Sequence, residues 1–311
     1  MAFIQRAFQT MHPLMQVIFL ACVVLSFMGL GAFVGMMWLG GGQGGMDVTD
    51  IMSDRSSILV MNNVNQMFGF LGASWAFAAL VGKDHLGGFY LQTPATWAMV
   101  VAAVLAIGMS PVLDLSFRLN EWMLVPGSGF HEWAGALEAQ AAELTRALLQ
   151  FEGGADPLLV LFSVAVLPAV CEEWLFRGTL QPILARATGN VHVGIWVSAF
   201  VFSAIHMQFF GFIPRMLLGA VFGYLVVQTG SLWPAILGHF VNNGGVILMA
   251  WAMGPEWLET GLEPQPLSAW SATDWGIAAL DLVVLGVAFK FLFSRGNPEA
   301  YWRKLQGNAS Q

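Results

Sequence analysis

The sequence predicts an all-α membrane protein, a polytopic bundle of about eight transmembrane helices. The chain has 311 residues, of which 57% are hydrophobic and only 10% are charged. A soluble domain carries about 25% charged residues, and here the deficit extends along the whole chain. Apolar runs of about 20 residues, the length that crosses a bilayer, recur throughout. We therefore predict a single integral membrane domain over residues 1–311.

The predicted spans are separated by short polar segments. They cover residues 14–39, 58–81, 95–115, 157–185, 190–209, 212–229, 231–252 and 273–293. The first is too long for the apolar region of a signal peptide and is followed by no clear cleavage site, so we expect it to be retained. Only Thr229, Gly230 and Ser231 separate the sixth span from the seventh, which predicts a tight helical hairpin.

The distribution of basic residues favours one orientation. With the N-terminus inside, the inner segments hold Arg6, Lys83, Arg186, Lys290, Arg295, Arg303 and Lys304, and the outer loops hold Arg55, Arg118, Arg146 and Arg215. Because Lys and Arg concentrate on the cytoplasmic side, we predict an N-in, C-in protein of the cell (inner, cytoplasmic) membrane. The lipid bilayer is thus an expected partner, whereas no basic run indicates nucleic acid.

The longest loop, residues 116–156, carries an amphipathic pattern. Its apolar residues near helical spacing are Trp133, Leu137, Leu144, Leu148 and Phe151. The pattern predicts an outer loop with an amphipathic helix at the membrane interface. A solvated helix packed on neighbouring loops explains it equally well.

The fourth span contains a cluster of ionisable residues in the segment Cys171–Arg177. Charged side chains within a membrane are costly and usually functional. Glu173 and Arg177 are four residues apart, the spacing of a helical ion pair, and Glu172 points about 100° away from Glu173. Pro168 removes one helical hydrogen bond and is expected to kink the span. These features predict a structural pair beside a carboxylate that is free to act as a general base.

Two later spans carry matching polar residues. His206 ends the fifth span, and the seventh contains His239 and Asn243, which are four apart and share one helix face. Together with Glu172, these residues supply a base, a site for an oriented water and donors for developing negative charge. Asn62, Asn63, Asn65 and Gln66 of the second span are a further candidate cavity lining, although helix packing explains them equally well.

The three motifs resemble those of the CPBP family, the CAAX-protease and bacteriocin-processing family of intramembrane proteases, which includes the type 2 CAAX prenyl endopeptidase. They are Glu-Glu-x-x-x-Arg, Phe-x-x-x-His and His-x-x-x-Asn, in that order, over a motif-bearing protease core at residues 157–250. The resemblance implies that Glu172 activates the attacking water and His206 shares it. It implies that His239 and Asn243 hold the oxyanion, with Glu173 and Arg177 completing the first motif.

A metal-dependent mechanism is the alternative to metal-free glutamate catalysis. Glu172, His206 and His239 are three residues that suit zinc or another divalent ion with an open fourth position. The zincin signature His-Glu-x-x-His is missing from the sequence, since no second histidine follows His131-Glu132 at that spacing. The favoured prediction is a protease without a cofactor.

The predicted function is endoproteolysis of a hydrophobic peptide or membrane-protein segment. One alternative is a non-proteolytic relative that acts as a membrane scaffold or resistance factor, and a less favoured one is a proton-coupled transporter. Nothing in the sequence selects a prenylated peptide over another hydrophobic one.

Overall fold

The protein is helical throughout the part that the computed structural model describes, residues 2–40, 54–82, 90–151, 153–254, 257 and 267–307. Within these ranges, extended pairing is limited to an isolated antiparallel bridge between Leu91 and Ser231. Lys83, one of the inner basic residues used to predict orientation, lies outside the described residues.

The helices are numbered in chain order. They are α1 Ala2–Gln9, α2 Pro13–Gly40, α3 Arg55–Val81, α4 Thr96–Gly108, α5 Ser110–Met123, α6 Gly129–Leu148, α7 Asp156–Thr188, α8 Val191–Ala204, α9 Phe212–Thr229, α10 Trp233–Met253, α11 Ala272–Arg295 and α12 Pro298–Gly307. The 3₁₀ turn Leu267–Ala269 precedes α11.

Fewer helices qualify as membrane spans than the eight that we predicted. Among the described residues, six are long and apolar enough to cross a membrane: α2, α3, α7, α9, α10 and α11. A seventh arises if α4 and α5, which are bent by 45° at their junction, form one span. The structure thus supports a polytopic helical membrane bundle with six or seven such spans.

Local sequence explains where the prediction and the structure differ. Pro111 lies in the first turn of α5, where its missing N–H is tolerated, so a new helix starts there instead of continuing α4. Residues 116–123, which we had assigned to the outer loop, continue α5. The fifth predicted span is only the 14-residue α8, about 21 Å at 1.5 Å per residue. It ends because the chain turns at Met207, which has a positive φ of 55°.

Two predicted local features are present. The turn between α9 and α10 is tight, since Gly230 ends α9 in the left-handed conformation that glycine adopts without strain. A 20-residue helix, α6, lies in the segment predicted to be amphipathic. Its location at the membrane interface remains a prediction.

The core is organised around α7. This helix packs against α3 and α10 in its middle and against α8 towards its C-terminal end, and α8 packs in turn on α9. Arg55 at the start of α3 bonds Asp156 at the start of α7 at 2.9 Å, so both helices begin at the same face of the bundle. Small residues allow these close approaches. A Cβ added at Gly194 on α8 would lie 2.9 Å from the backbone nitrogen of Ala185 on α7.

We predict that Gly194→Ala destabilises the bundle, because backbone atoms of α7 cannot move aside as a side chain can. Overpacking of this kind costs about 1–3 kcal/mol. The thermal unfolding midpoint of purified protein in one detergent is expected to fall by several degrees.

The matched control is Gly286→Ala on α11, where an added Cβ meets no atom within 4 Å. This variant is expected to unfold at or above the wild-type temperature, since alanine is the better helix former. Equal midpoints for the two variants would contradict the tight contact between α7 and α8.

Candidate active site

The acidic segment of α7 lies between two π turns. Residues Phe162–Val166 and Phe176–Leu180 are π-helical, and Leu167–Leu175 between them is α-helical. A π turn lengthens the hydrogen-bonded loop to five residues, which leaves a carbonyl unpaired and often marks a functional site. The acid pair therefore lies on a short, rotated section of an otherwise continuous membrane helix.

Amide side chains from two other helices satisfy the carbonyls that are released before this segment. Pro168 has no N–H to donate to the Val164 carbonyl, and Asn243 Nδ2 on α10 donates to it at 3.3 Å. The first π turn frees the Ser163 carbonyl, which accepts from Asn62 Nδ2 at 2.8 Å. The predicted disturbance at Pro168 thus takes the form of a π turn, and α7 continues to Thr188.

Arg177 and Glu173 form the ion pair that their spacing predicts, and both side chains are fully buried. Arg177 Nη1 donates to Glu173 Oε1 at 2.9 Å, and Nη2 donates to the Gly219 carbonyl on α9 at 2.9 Å. The guanidinium carbon lies 4.6 Å from the centre of the Phe202 ring and 5.8 Å from that of Phe222. These contacts compensate the desolvation of the charges and fix Arg177 between α7, α8 and α9.

His239 on α10 binds the same carboxylate oxygen. Its Nδ1–H donates to Glu173 Oε1 at 2.9 Å, and its ring stacks on Phe222 with centroids 5.6 Å apart. This leaves Nε2 as the end of the imidazole that is directed at Glu172, whose Oε2 lies 3.9 Å away. Glu173 therefore sets the orientation and tautomer of His239.

Glu172 is buried but is not part of the Arg177 pair. Its Oε1 accepts a hydrogen bond from Gln66 Nε2 on α3 at 2.8 Å. Its Oε2 is at 3.9 Å from His239 Nε2, which is beyond hydrogen-bond distance. One oxygen is thus held by an amide donor and the other faces an imidazole across the site.

His206 lies just beyond the end of α8 and is partly exposed. Its Nδ1–H donates to the Phe202 carbonyl at 2.7 Å, which leaves Nε2 as an acceptor. The Phe202 ring packs edge-on against both imidazoles, with ring centroids 4.9 Å from His206 and 6.0 Å from His239. The structure therefore brings together residues from all three predicted motifs.

Asn243 lies one turn beyond His239 and is engaged with its neighbours. Its Nδ2 donates to the Val164 carbonyl, and its Oδ1 accepts from Asn242 at 3.1 Å. A side-chain amide has two N–H donors, so one remains for another acceptor.

A family comparison matches this part of the chain. Residues 154–245 match the model described as type II CAAX prenyl endopeptidase Rce1-like, which agrees with the resemblance inferred from the motifs. Over residues 154–245 the chain is therefore similar to the CPBP family. All three CPBP motifs, from Glu172 to Asn243, fall inside the matched segment, and α1 to α6 lie outside it.

Among curated proteins, one relative is the Bacillus subtilis (strain 168) protein printed as "Uncharacterized protein YpbD". It is 29% identical over 82 residues, which are 25% of this chain and 39% of the relative. The chain therefore spans well under half the length of that curated relative. No solved structure gives a significant match.

Glu172, His206 and His239 are the candidate metal ligands of the site. Both histidines donate Nδ1–H to an oxygen, as metal-bound histidines usually do. However, among the residues that the structure describes, no three His, Cys, Asp or Glu side chains form a group that could hold a metal ion. As they are placed here, Glu172, His206 and His239 do not form a ligand set, so no step of the mechanism is derived through a metal.

Two residues that support the candidate active site were not predicted from the sequence as parts of it. The sequence indicates Gln66 only as a possible cavity lining, although Gln66 directly contacts Glu172. It does not indicate Phe222, which supports both Arg177 and His239. The signal for Gln66 was a cluster of amides within an apolar span, which alone does not distinguish a site from helix packing.

We predict that Arg177→Met lowers stability strongly, because it leaves the buried Glu173 carboxylate without its cation. Breaking one partner of such a pair costs about 3–5 kcal/mol. The double variant Arg177→Met/Glu173→Gln is expected to recover part of that loss, since no orphaned charge remains. Thermal unfolding in detergent measures both.

Arg303→Met serves as the control, because Arg303 is an exposed arginine on α12. An unfolding midpoint for Arg177→Met equal to that of Arg303→Met would mean that the buried pair does not hold the helices together.

Proposed function

We propose that this protein is an intramembrane endopeptidase that hydrolyses a peptide bond in a hydrophobic or membrane-associated peptide. The observation that carries the proposal is the placement of Glu172, a buried carboxylate with one oxygen bound to Gln66 and the other directed at His239. The match of residues 154–245 to the type II CAAX prenyl endopeptidase Rce1-like model supports the same chemistry.

The reaction follows from the donors and acceptors of the site. Glu172 takes a proton from a water molecule, whose oxygen forms a bond with the peptide carbonyl carbon. His206 Nε2 accepts the other hydrogen of that water and holds it in line. In its protonated form, His239 donates Nε2–H to the oxyanion, and the second N–H of Asn243 is the other donor. The C–N bond then breaks as Glu172 returns its proton to the leaving amine nitrogen.

In this mechanism, Glu173 and Arg177 act indirectly, through His239. Glu173 binds His239 Nδ1–H and thereby stabilises the imidazolium that donates to the oxyanion. Arg177 neutralises the remaining charge of Glu173 in the low-dielectric interior. The buried pair thus holds His239 with Nε2 directed at the reacting groups.

The location is part of the proposal. We place the protein in the cytoplasmic membrane with both termini inside, on the basis of the Lys and Arg distribution. The substrate is a hydrophobic peptide or membrane-protein segment that enters the bundle from the bilayer or its surface. A prenylated C-terminus is one member of this class.

The decisive experiment compares protein termini in membranes from cells that carry wild-type protein or Glu172→Gln at equal expression. We expect new termini with the wild type that are lost in the variant, because a glutamine side chain cannot accept the water proton. Glu143→Gln is the matched control, since Glu143 is exposed on α6, and it should retain the new termini.

The alternative, a scaffold or resistance factor without proteolysis, gives a different result. In that case the sets of termini are the same, and Glu172→Gln still restores the phenotype of a deletion strain. That outcome would reject the peptidase proposal.

We further predict that cleavage needs no metal ion. Purified protein incubated with EDTA or 1,10-phenanthroline should cleave a peptide spanning a mapped site at the untreated rate. Loss of activity with the chelator, and recovery on adding Zn²⁺ but not Mg²⁺, would instead support metal catalysis.

A further inference from the structure

Gln66 makes a direct contact with the proposed general base from outside the family-matched segment. Its Nε2 donates to Glu172 Oε1 at 2.8 Å, and only 6% of each residue is exposed. The two residues are 106 positions apart, and Gln66 is on α3, before the matched residues 154–245. The contact therefore links the first part of the bundle to the carboxylate that is proposed to activate water.

Several polar contacts along its length join α3, the helix that carries Gln66, to α7. Arg55 bonds Asp156 at the start of both helices. Closer to the site, Asn62 donates to the Ser163 carbonyl at 2.8 Å, and Asn63 donates to Ser163 Oγ at 3.0 Å. Gln66 begins the π turn Gln66–Gly72, which packs against the acidic segment of α7. These anchors hold the Gln66 amide in place before a substrate binds.

Of the α3 amides that bond α7, Gln66 is the one that reaches the acid pair. Asn62 and Asn63 bond the backbone carbonyl and the hydroxyl of Ser163, about two and a half turns before Glu172, so they join the helices without touching the reacting groups. Gln66 instead occupies one oxygen of Glu172. An amide donor on that oxygen fixes the plane of the carboxylate and leaves the other oxygen for water.

We propose that Gln66 is a positioning residue, which holds the Glu172 carboxylate with Oε2 directed at the water and the scissile carbonyl. This inference rests on the proposed endopeptidase function. Without the amide, the carboxylate rotates and its second oxygen is no longer held towards the water. Since misplacement of a catalytic group by about 1 Å can reduce the rate about 100-fold, the turnover rate depends on Gln66.

The test compares full-length variants with a peptide that spans a cleavage site mapped in the termini experiment. Gln66→Met keeps the length and apolar character of the side chain but cannot donate. We expect kcat to fall about 10- to 100-fold while KM stays within about twofold of wild type. Gln66→Leu, which removes the donor and adds no charge beside Glu172, supplies the same measurement if the methionine variant does not accumulate.

Asn62→Leu is the matched control, because it removes an α3–α7 hydrogen bond of the same length that does not involve Glu172. It is expected to lower the unfolding midpoint and to leave kcat per folded molecule near the wild-type value. A purely structural role for Gln66 predicts instead that both variants lower the midpoint and that neither changes kcat.

Three outcomes overturn the inference. An unchanged kcat in Gln66→Met, with wild-type cleavage intact, rejects it and leaves the proposed function standing. A higher KM at constant kcat would make Gln66 a substrate-binding residue. Cleavage by wild type no faster than by Glu172→Gln would reject the proposed function itself, so the two failures are distinguishable.

Discussion

The site depends on one buried carboxylate, that of Glu173, which accepts hydrogen bonds from a guanidinium and an imidazole through a single oxygen. Arg177 and His239 both donate to Glu173 Oε1 at 2.9 Å, from α7 itself and from α10. In a low-dielectric interior, losing Arg177 leaves a charge that water cannot solvate. The orientation of His239 and the link between α7 and α10 therefore depend on this carboxylate.

The π turns explain how adjacent acidic residues take different roles. Glu172 and Glu173 are consecutive in sequence, yet one bonds α3 and the other bonds Arg177 and α10. The π turn before them and Pro168 release backbone carbonyls, and amides on neighbouring helices replace the lost bonds. The irregular backbone is tolerated within the membrane because protein groups satisfy it, and this gives the acidic segment its fixed rotation.

The features that could be predicted from the sequence are those set by spacing along one helix. The Glu173–Arg177 pair and the shared face of His239 and Asn243 follow from the helical repeat. The bond from Gln66 to Glu172 could not be predicted in this way, because it joins residues 106 positions apart. Hydropathy overestimated the spans, because the apolar sequence continues beyond Ala204 although the helix stops there, and Pro111 starts a new helix within an apolar run.

The amides of α3 have a consequence for the order in which the protein assembles. Asn62, Asn63 and Gln66 bond residues that are synthesised 100 to 106 positions later. Until α7 enters the membrane, these amides lack their final partners, and unpaired amides in hydrocarbon are costly. The earlier helix α2 packs on α3 through Gly31, where an added Cβ would lie 3.0 Å from Phe68 Cβ. We therefore expect α2 to hold α3 in place within the membrane until α7 is inserted. This role in assembly is separate from the chemistry of the site.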